Sequence, residues 1–410
     1  MFENELQQHY GLLLGIQSPW QVDTVDLNLE GKNVDIEVRW MAGQKVICPD
    51  CQKVCSMKDR MEERTWRHLD TMQFETRIRC RVPRSNCPEH GVKAVKVPWA
   101  EPGSRFTKLF ERFAIEVLKG SQSVSHATDL LGISWDQAHR IMERAVERGL
   151  ERRDGEKLKY VGMDEKSFGC GQSYVSVLTD LETSRVLAVT LGRDREAADF
   201  LWDTLSEEQL DQIKAVALDM SGIYAAAARD CVPEAAIVHD KFHIAKHLND
   251  AVAKVHREEN RTLQRQGDNR LKGTRSLWMY NPHNLSPAQD VCFKQLKNKA
   301  LKVARAWGIK ELFADFWYYS YKKRARAFFK KWYGWASRCQ LKPIIKVAKM
   351  IKKHFENIIT YLEHPITNAV TEGLNAKIQI LKSNARGFRS FLNYRIRILF
   401  FCGKMDLYPH

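Results

Sequence analysis

Val161-Gly162-Met163-Asp164-Glu165-Lys166-Ser167-Phe168 is the stretch on which the fold turns. Tyr160 to Met163 is apolar and partly β-branched, and Gly169-Cys170-Gly171 marks a turn just beyond it. The segment therefore reads as a short strand that delivers the Asp164 carboxylate to a sheet edge. Two further apolar runs follow at short spacing, Tyr174 to Leu178 and Val186 to Leu191. A helical stretch over 195–205 precedes a fourth strand, Ala215-Val216-Ala217-Leu218, which ends on Asp219. A helix over 223–229 leads to a fifth, Ala235-Ala236-Ile237-Val238, which ends on His239-Asp240. Strands that end on acids gather carboxylates at one sheet edge, where hard divalent cations bind.

The chain has 410 residues, enough for several domains and a large core, and a formal net charge of +15. The excess is local. Residues 294–353 hold 18 Lys and Arg against Glu311 and Asp315 alone, a net of +16, so the other 350 residues together carry −1. Such a block, interleaved with Trp, Tyr and Phe, points to a polyanionic partner, with a solvated lysine-rich helical face as the plainer alternative. No uninterrupted apolar run of 18 or more residues occurs and the N-terminus has no signal-peptide pattern. Ten cysteines, four-residue clusters among them, fit metal binding in a reducing cytoplasm better than disulfides.

Upstream, a short helix and strands are expected in residues 1–45, where Val34, Ile36, Val38 and Trp40 alternate with Asp35, Glu37 and Arg39. They lead into Cys48-Pro49-Asp50-Cys51, and Cys87-Pro88-Glu89-His90 follows with the same two-residue gap. Two such knuckles supply a Cys₃His set for one structural zinc through Cys48, Cys51, Cys87 and His90, with Cys55 or Cys80 as alternative ligands. A Pro/Gly-marked linker at Pro98–Gly103 precedes helical patterning. Val124 to Leu131, the turn residue Gly132 and a helix capped by Ser134 make a helix-turn-helix, whose second helix would expose Asp136, Gln137, His139, Arg140 and Arg144 to DNA.

Downstream, Phe242 opens a helical region that runs to about Tyr361. Within it Phe313, Phe316, Trp317, Tyr318, Tyr319, Phe328, Phe329, Trp332, Tyr333 and Trp335 lie among Lys322, Lys323, Arg324, Arg326 and their neighbours. Any one such aromatic is expected in a core, whereas the basic bundle as a whole is expected to face DNA. His364 to Asn368 reads as a turn, Thr371-Glu372-Gly373-Leu374-Asn375 as the head of a helix, and Lys382, Arg386, Arg389, Arg395 and Arg397 as a basic tail. There is no internal repeat.

Asp164, Asp219 and Glu372 have the order and chemistry of a DDE triad on an RNase H-like strand order. Two Mg²⁺ ions (or Mn²⁺) roughly 3.5–4 Å apart need shared carboxylates to hold them for phosphodiester chemistry. At this point the chain resembles transposases of the bacterial "ISL three" insertion-sequence family over nearly its whole length. The resemblance rests on the two knuckles, Val97-Pro-Trp-Ala-Glu-Pro-Gly-Ser104, Asp164-Glu-Lys-Ser-Phe168 and Leu218-Asp-Met220. It continues in Val238-His-Asp-Lys-Phe-His243, Thr371-Glu-Gly-Leu-Asn375, Ala385-Arg-Gly-Phe-Arg389 and Ile398-Leu-Phe-Phe-Cys-Gly403.

The resemblance implies a multidomain α/β protein: an N-terminal zinc-binding module (1–97), a helix-turn-helix (104–150), and an RNase H-like catalytic core (158–245 and 363–410). A large basic α-helical insertion (246–362) interrupts that core. Its catalytic, magnesium-binding acids fall on Asp164, Asp219 and Glu372, and Asp240 and His243 match a supporting Asp-x-x-His element. The implied activity is cleavage of the element's terminal inverted repeats and transfer of their 3′-hydroxyl strands to target DNA. A homodimer or larger oligomer on double-stranded DNA in the bacterial nucleoid is the implied setting. The alternatives are a domesticated zinc and helix-turn-helix DNA-binding protein, or a metal-dependent structure-specific nuclease. Two positions depart from the family pattern: His90 stands where many relatives carry Cys, and Gly169-Cys170-Gly171-Gln172 lacks the expected basic residues.

Overall fold

The computed structural model describes residues 2–121, 123–153, 155–169, 173–280 and 284–410, so the departure at Cys170, Gly171 and Gln172 lies outside the described residues. They form two compact units, Met1–Arg153 with Met405–His410, and Asp154–Lys404. No helix among the described residues is long and apolar enough to cross a membrane.

The first unit runs α1 (Phe2–Leu13), β1 (Trp20–Asn28), β2 (Asn33–Trp40), β3 (Val46–Ile47), β4 (Val54–Arg60), β5 (Arg64–Arg67), β6 (Glu75–Cys80), β7 (Pro83–Cys87) and β8 (Gly91–Ala94). Three helices follow, α2 (Lys108–Gly120), α3 (Val124–Leu131) and α4 (Trp135–Glu151). One sheet has the order β1-β2-β6-β5 and another β3-β4-β7-β8. The alternation of Val34, Ile36, Val38 and Trp40 turns one face of β2 into a core with Ile78 and a run of edge-to-face tryptophans, Trp40, Trp20, Trp99 and Trp66. The strands past residue 50 are short and polar and carry little apolar alternation; β7 is Pro-Arg-Ser-Asn-Cys.

The three helices are each started by a side-chain cap, from Thr107, Ser123 and Ser134, and Ser134 with Gln137 closes a full capping box. Gly132 ends α3 at φ +61°, a left-handed position that a side chain would strain. Arg144, expected at the DNA face, instead pairs at 2.5 Å with Glu111, a carboxylate that is only 1% exposed. Arg148 and Ser104 complete the cage around Glu111, at 3.2 and 2.6 Å. A buried carboxylate has to be neutralised, so Arg144 holds the helices together and is unavailable to read bases. Gln137 and Arg140 are exposed, as expected.

The expected last segment, 363–410, divides at Lys404. Arg148 donates to the Leu407 carbonyl, and a Cβ on Gly149 would stand 2.7 Å from that of Met405, so the final residues seal the helical part of the first unit.

The second unit contains β9 (Tyr160–Ser167), β10 (Tyr174–Asp180), β11 (Arg185–Leu191), α5 (Arg195–Asp203), α6 (Glu207–Asp211), β12 (Ala215–Leu218), α7 (Gly222–Cys231) and β13 (Ala236–His239). It continues with α8 (Lys241–Arg265), α9 (Pro287–Lys297), α10 (Lys302–Ala314), α11 (Lys322–Arg338), α12 (Lys342–Lys353), α13 (Phe355–Ile359), α14 (Ala369–Asn384) and α15 (Phe391–Cys402). The sheet order is β11-β10-β9-β12-β13, with β9, β10 and β11 antiparallel and β12 and β13 parallel to β9. Val161 and Met163 face a core completed by Leu201 and Trp202 of α5 and by Tyr224, Ala227 and Ala228 of α7. On the opposite face α14 lies so close that a Cβ on Gly162 would meet Thr371 Oγ1 at 2.6 Å and Asn368 Oδ1 at 2.8 Å. Glycine is required there to let the helix touch the strand. β9 runs four residues past Met163, which places Asp164 within the strand and not at its end.

Helices α8 to α13 bury a core of their own around Trp278, Phe293, Phe313, Phe316 and Trp332. Of the ten aromatics singled out in the sequence, Phe313, Phe316, Phe329 and Trp332 are buried, Trp317, Tyr319, Phe328 and Tyr333 are half-buried, and Tyr318 and Trp335 stay exposed. Most of the ring area that suggested base stacking is therefore hydrophobic core. The basic residues also divide. Arg326 forms two 2.6 Å bonds to Glu356, and Lys322 pairs at 2.6 Å with Glu363. Both acids lie just past residue 353, beyond the end of the basic block. Lys323 and Arg324 are exposed and form no ion pair among the described residues.

Candidate active site

The register of the central strands brings the first two acids together. Met163 of β9 lies opposite Leu218 of the parallel β12, so the residues that follow, Asp164 and Asp219, emerge side by side. Strand alternation puts Asp164 on the α14 face with Gly162. Its Oδ1 accepts the Glu165 backbone N–H at 2.9 Å, and its Oδ2 accepts the Asn375 side-chain N–H at 2.8 Å. Burial pushes the Asp164 carboxyl up to about 6; the charges of Glu165 and Asp219 add to the rise, while the Glu165 N–H and His243 oppose it. Asp219 accepts the N–H of Met220, the residue after it. Glu165 falls on the opposite face by alternation, yet burial and the Asp219 charge raise its carboxyl too, so it stays within electrostatic reach of the cluster.

The remaining three residues form a second grouping. Asp240, His243 and Glu372 offer ligand atoms that all lie within 4.8 Å of one another, a group that excludes Asp164 and Asp219. Asp240 is fully buried and both of its oxygens are occupied by backbone donors. Oδ1 caps α8 by accepting from Phe242 N at 2.9 Å, and Oδ2 accepts from Asn368 N, at the head of α14, at 2.9 Å. Asp240 thus clips the two helix heads together. His243 sits in the first turn of α8 with Nδ1 buried and without a hydrogen-bond partner among the described residues, and Glu372 is exposed in the first turn of α14. His243 bears on both groupings, since its charge also acts on Asp164.

Asn375 is the site residue that sequence reasoning passed over. It stands three residues after Glu372, on the same face of α14, is 7% exposed, and leaves its Oδ1 without a partner among the described residues. The signal was present in Glu372-Gly-Leu-Asn375, because spacing of three on a helix aligns two side chains. The donor set suits a divalent cation. Several carboxylates crowd together, one of them held back from ionising by burial, beside a buried imidazole nitrogen and an amide oxygen with no partner among the described residues. Glu356 and Glu363, two acids a short way upstream of Glu372, are taken up by Arg326 and Lys322.

The four zinc-ligand candidates converge in the first unit. Cys48 and Cys51 occupy the turn between β3 and β4, Cys87 ends β7, and His90 lies in the turn from β7 to β8. Cys48 Sγ and Cys87 Sγ lie 3.8 and 3.7 Å from His90 Nδ1, and Cys51 Sγ lies 3.7 Å from Cys87 Sγ. Those are tetrahedron edges for ligands about 2.0–2.3 Å from a central zinc. The His90 backbone N–H and ring, in that order, lower the Cys87 thiol to about 6, favouring the thiolate that zinc binds. Cys55 points to the Lys53 carbonyl and Cys80 is buried, its thiol pushed up to about 12 by burial; neither belongs to the group.

Three family models match successive stretches of the chain. Residues 161–398 match a family model described as a transposase, 95–146 match the helix-turn-helix domain of transposase family ISL3, and 44–90 match the zinc-finger of transposases IS204, IS1001, IS1096 and IS1165. The transposase for insertion sequence element IS1557 of Mycobacterium tuberculosis is 27% identical over 409 residues, covering 92% of this chain and 91% of that protein. The transposase for IS1001 of Bordetella parapertussis is 25% identical over 351 residues, covering 84% and 86%. With a catalytic-domain match that spans more than half its length and both accessory domains in place, the chain belongs to the ISL3 family of insertion-sequence transposases.

Proposed function

We propose that this transposase cuts DNA at the terminal inverted repeats of its own element and joins the freed 3′-hydroxyl ends to a target. Asp164, Asp219 and Glu372 would act as the metal-holding triad of an RNase H-like core, and α8 to α13 as the insertion within it. The observation that carries this is the alignment of Asp164 with Asp219 on paired parallel strands, together with the Asn375 bond that ties Asp164 to the helix bearing Glu372. Held there, divalent cations such as Mg²⁺ would supply an activated oxygen nucleophile and stabilise the departing one. The protein's own part is to hold charge and geometry. Asn375 fixes one Asp164 oxygen, and Asp240 sets α14 against α8. The test is incubation with the element's end duplex and Mg²⁺. Joined strands support transposition, and nicks without joining would reduce the activity to that of a nuclease.

DNA recognition is assigned to the first unit and to the unpaired cations of the second. Arg140 and Gln137 project from the capped helix α4. Arg140→Ala should lower the preference for the element's ends over random duplex by about 1–3 kcal/mol, the worth of one base-edge contact. Lys323→Ala with Arg324→Ala should instead weaken binding to all duplexes alike and reduce the slope of log affinity against log salt by about two. The same change at Lys322 and Arg326 should do less, because Glu363 and Glu356 already neutralise them. Equal slopes for the two double variants would rule out this division.

Zinc would be structural, clamping the two turns that carry Cys48, Cys51, Cys87 and His90. Elemental analysis should find about one zinc per chain, and Cys48→Ser should remove it. Zinc retained in that variant would move the ligand set elsewhere.

A further inference from the structure

Next to the acidic site the second unit has a cavity of about 430 Å³ that the chemistry so far described does not use. Its size falls at the lower end of small-molecule sites, roughly 300–1,000 Å³. Phe242, Trp317, Tyr318 and Tyr361 line it, with Lys241 and Lys310 among them. Its position is set by chain connectivity: Lys241 and Phe242 lie between Asp240 and His243, so cavity and acidic cluster share the first turn of α8.

Two of its rings are unusually exposed for their size. Tyr318 is 85% exposed and Phe242 is 48% exposed, while Phe313 and Phe316 alongside are buried in the bundle core. Trp317 meets Tyr361 edge to face at 5.2 Å. The Lys241 ammonium lies 5.5 Å from the Phe242 ring and 5.2 Å from the Tyr361 ring, and it forms no ion pair among the described residues. Lys310, by contrast, is offset by Glu311 at 2.8 Å. The cavity thus presents flat apolar faces, one uncompensated cation and one paired donor and acceptor at its polar side.

Resting on the transposase reading above, we propose that this cavity receives one DNA base unstacked from the duplex beside the phosphate to be cut. A base has two π-faces for the exposed rings, a polar edge for Lys310 and Glu311, and a flanking phosphate for Lys241. Extruding a base costs a few kcal/mol of lost stacking and pairing, and stacking on aromatic side chains returns about 1–3 kcal/mol per base. The exchange would draw the strand toward the acids and hold the cut phosphate in register.

The full-length protein can be tested on the element's end duplex carrying 2-aminopurine singly at each position flanking the cleaved phosphate. One position is expected to show a protein-dependent change in fluorescence that Phe242→Ala and Tyr318→Ala abolish. Each variant should also bind the end about tenfold more weakly, the equivalent of one modest stacking contact. On a duplex with an abasic site at that position, variants and wild type should bind alike, since no base remains to be stacked. The proposal is overturned if no position responds, if the variants weaken binding without regard to position, or if the tenfold gap persists on the abasic duplex. Cutting of the unmodified end by the wild type in Mg²⁺ separates the two readings. Intact cutting with a flat fluorescence scan removes only the base site, whereas absent cutting removes the proposed reaction.

Discussion

Asp164→Asn, Asp219→Asn and Glu372→Gln are each expected to leave end-DNA binding intact and to lower cutting by well over a hundredfold. The replacements keep size and hydrogen-bonding capacity and remove only charge, and two divalent cations in one site repel each other unless several carboxylates neutralise them. The hundredfold mark is a lower bound, because losing an outer-shell partner of a metal ligand already costs about 10- to 100-fold. Asp240 provides the contrast. Both of its oxygens accept backbone N–H groups, so Asp240→Asn leaves one buried donor unsatisfied, at about 1–3 kcal/mol. That variant should lose thermal stability along with activity, whereas Glu372→Gln, at an exposed position, should lose activity alone. Full Mg²⁺-dependent cutting by Glu372→Gln would break the triad. Glu356 and Glu363 could not replace it without giving up Arg326 and Lys322.

The second large effect belongs to Asn375. Its side-chain N–H holds Asp164 Oδ2 at 2.8 Å and its Oδ1 has no partner among the described residues. Asn375→Ala should raise the Mg²⁺ concentration for half-maximal cutting by about 10- to 100-fold while the affinity for end DNA stays within twofold. Asn375→Asp should be worse, because it sets a second carboxylate against Asp164 across a hydrogen-bond distance. The exchange Asp164→Asn with Asn375→Asp restores one carboxylate and one amide to the pair. It should therefore bind Mn²⁺, measured by calorimetry on the protein with uncut DNA, better than either single variant. If Asn375→Ala binds Mn²⁺ as the wild type does, or if the double exchange is no better than Asn375→Asp alone, Asn375 is a packing residue and has no part in positioning Asp164.

Much of this was legible in the linear chain. The strands of the second unit and the two aspartates could be read because short apolar runs are followed directly by an acid, a local pattern that needs no tertiary information. The zinc knuckles were equally local, as two-residue gaps fix ligand spacing within one turn; the tertiary structure brings the four side chains of the two knuckles together. The caps at Ser123 and Ser134 and the turn at Gly132 were readable for the same reason.

What tertiary structure alone decided was which polar groups find each other. Arg144 has the helical phase of an exposed reader, but the burial of Glu111 across the helix bundle draws it inward. Lys322 and Arg326 count as free cations until α13 and the turn after it bring Glu363 and Glu356 alongside. Tyr318 and Phe316 are indistinguishable in composition, and only the packing of α10 against α11 buries one and leaves the other in water. Asn375 meets Asp164 across 211 residues of sequence because Gly162, lacking a side chain, lets α14 settle onto β9. Local periodicity sets what a segment is; which charge it meets depends on the low dielectric of the interior, where an unpaired polar group costs more than the chain entropy spent in bringing a distant partner to it.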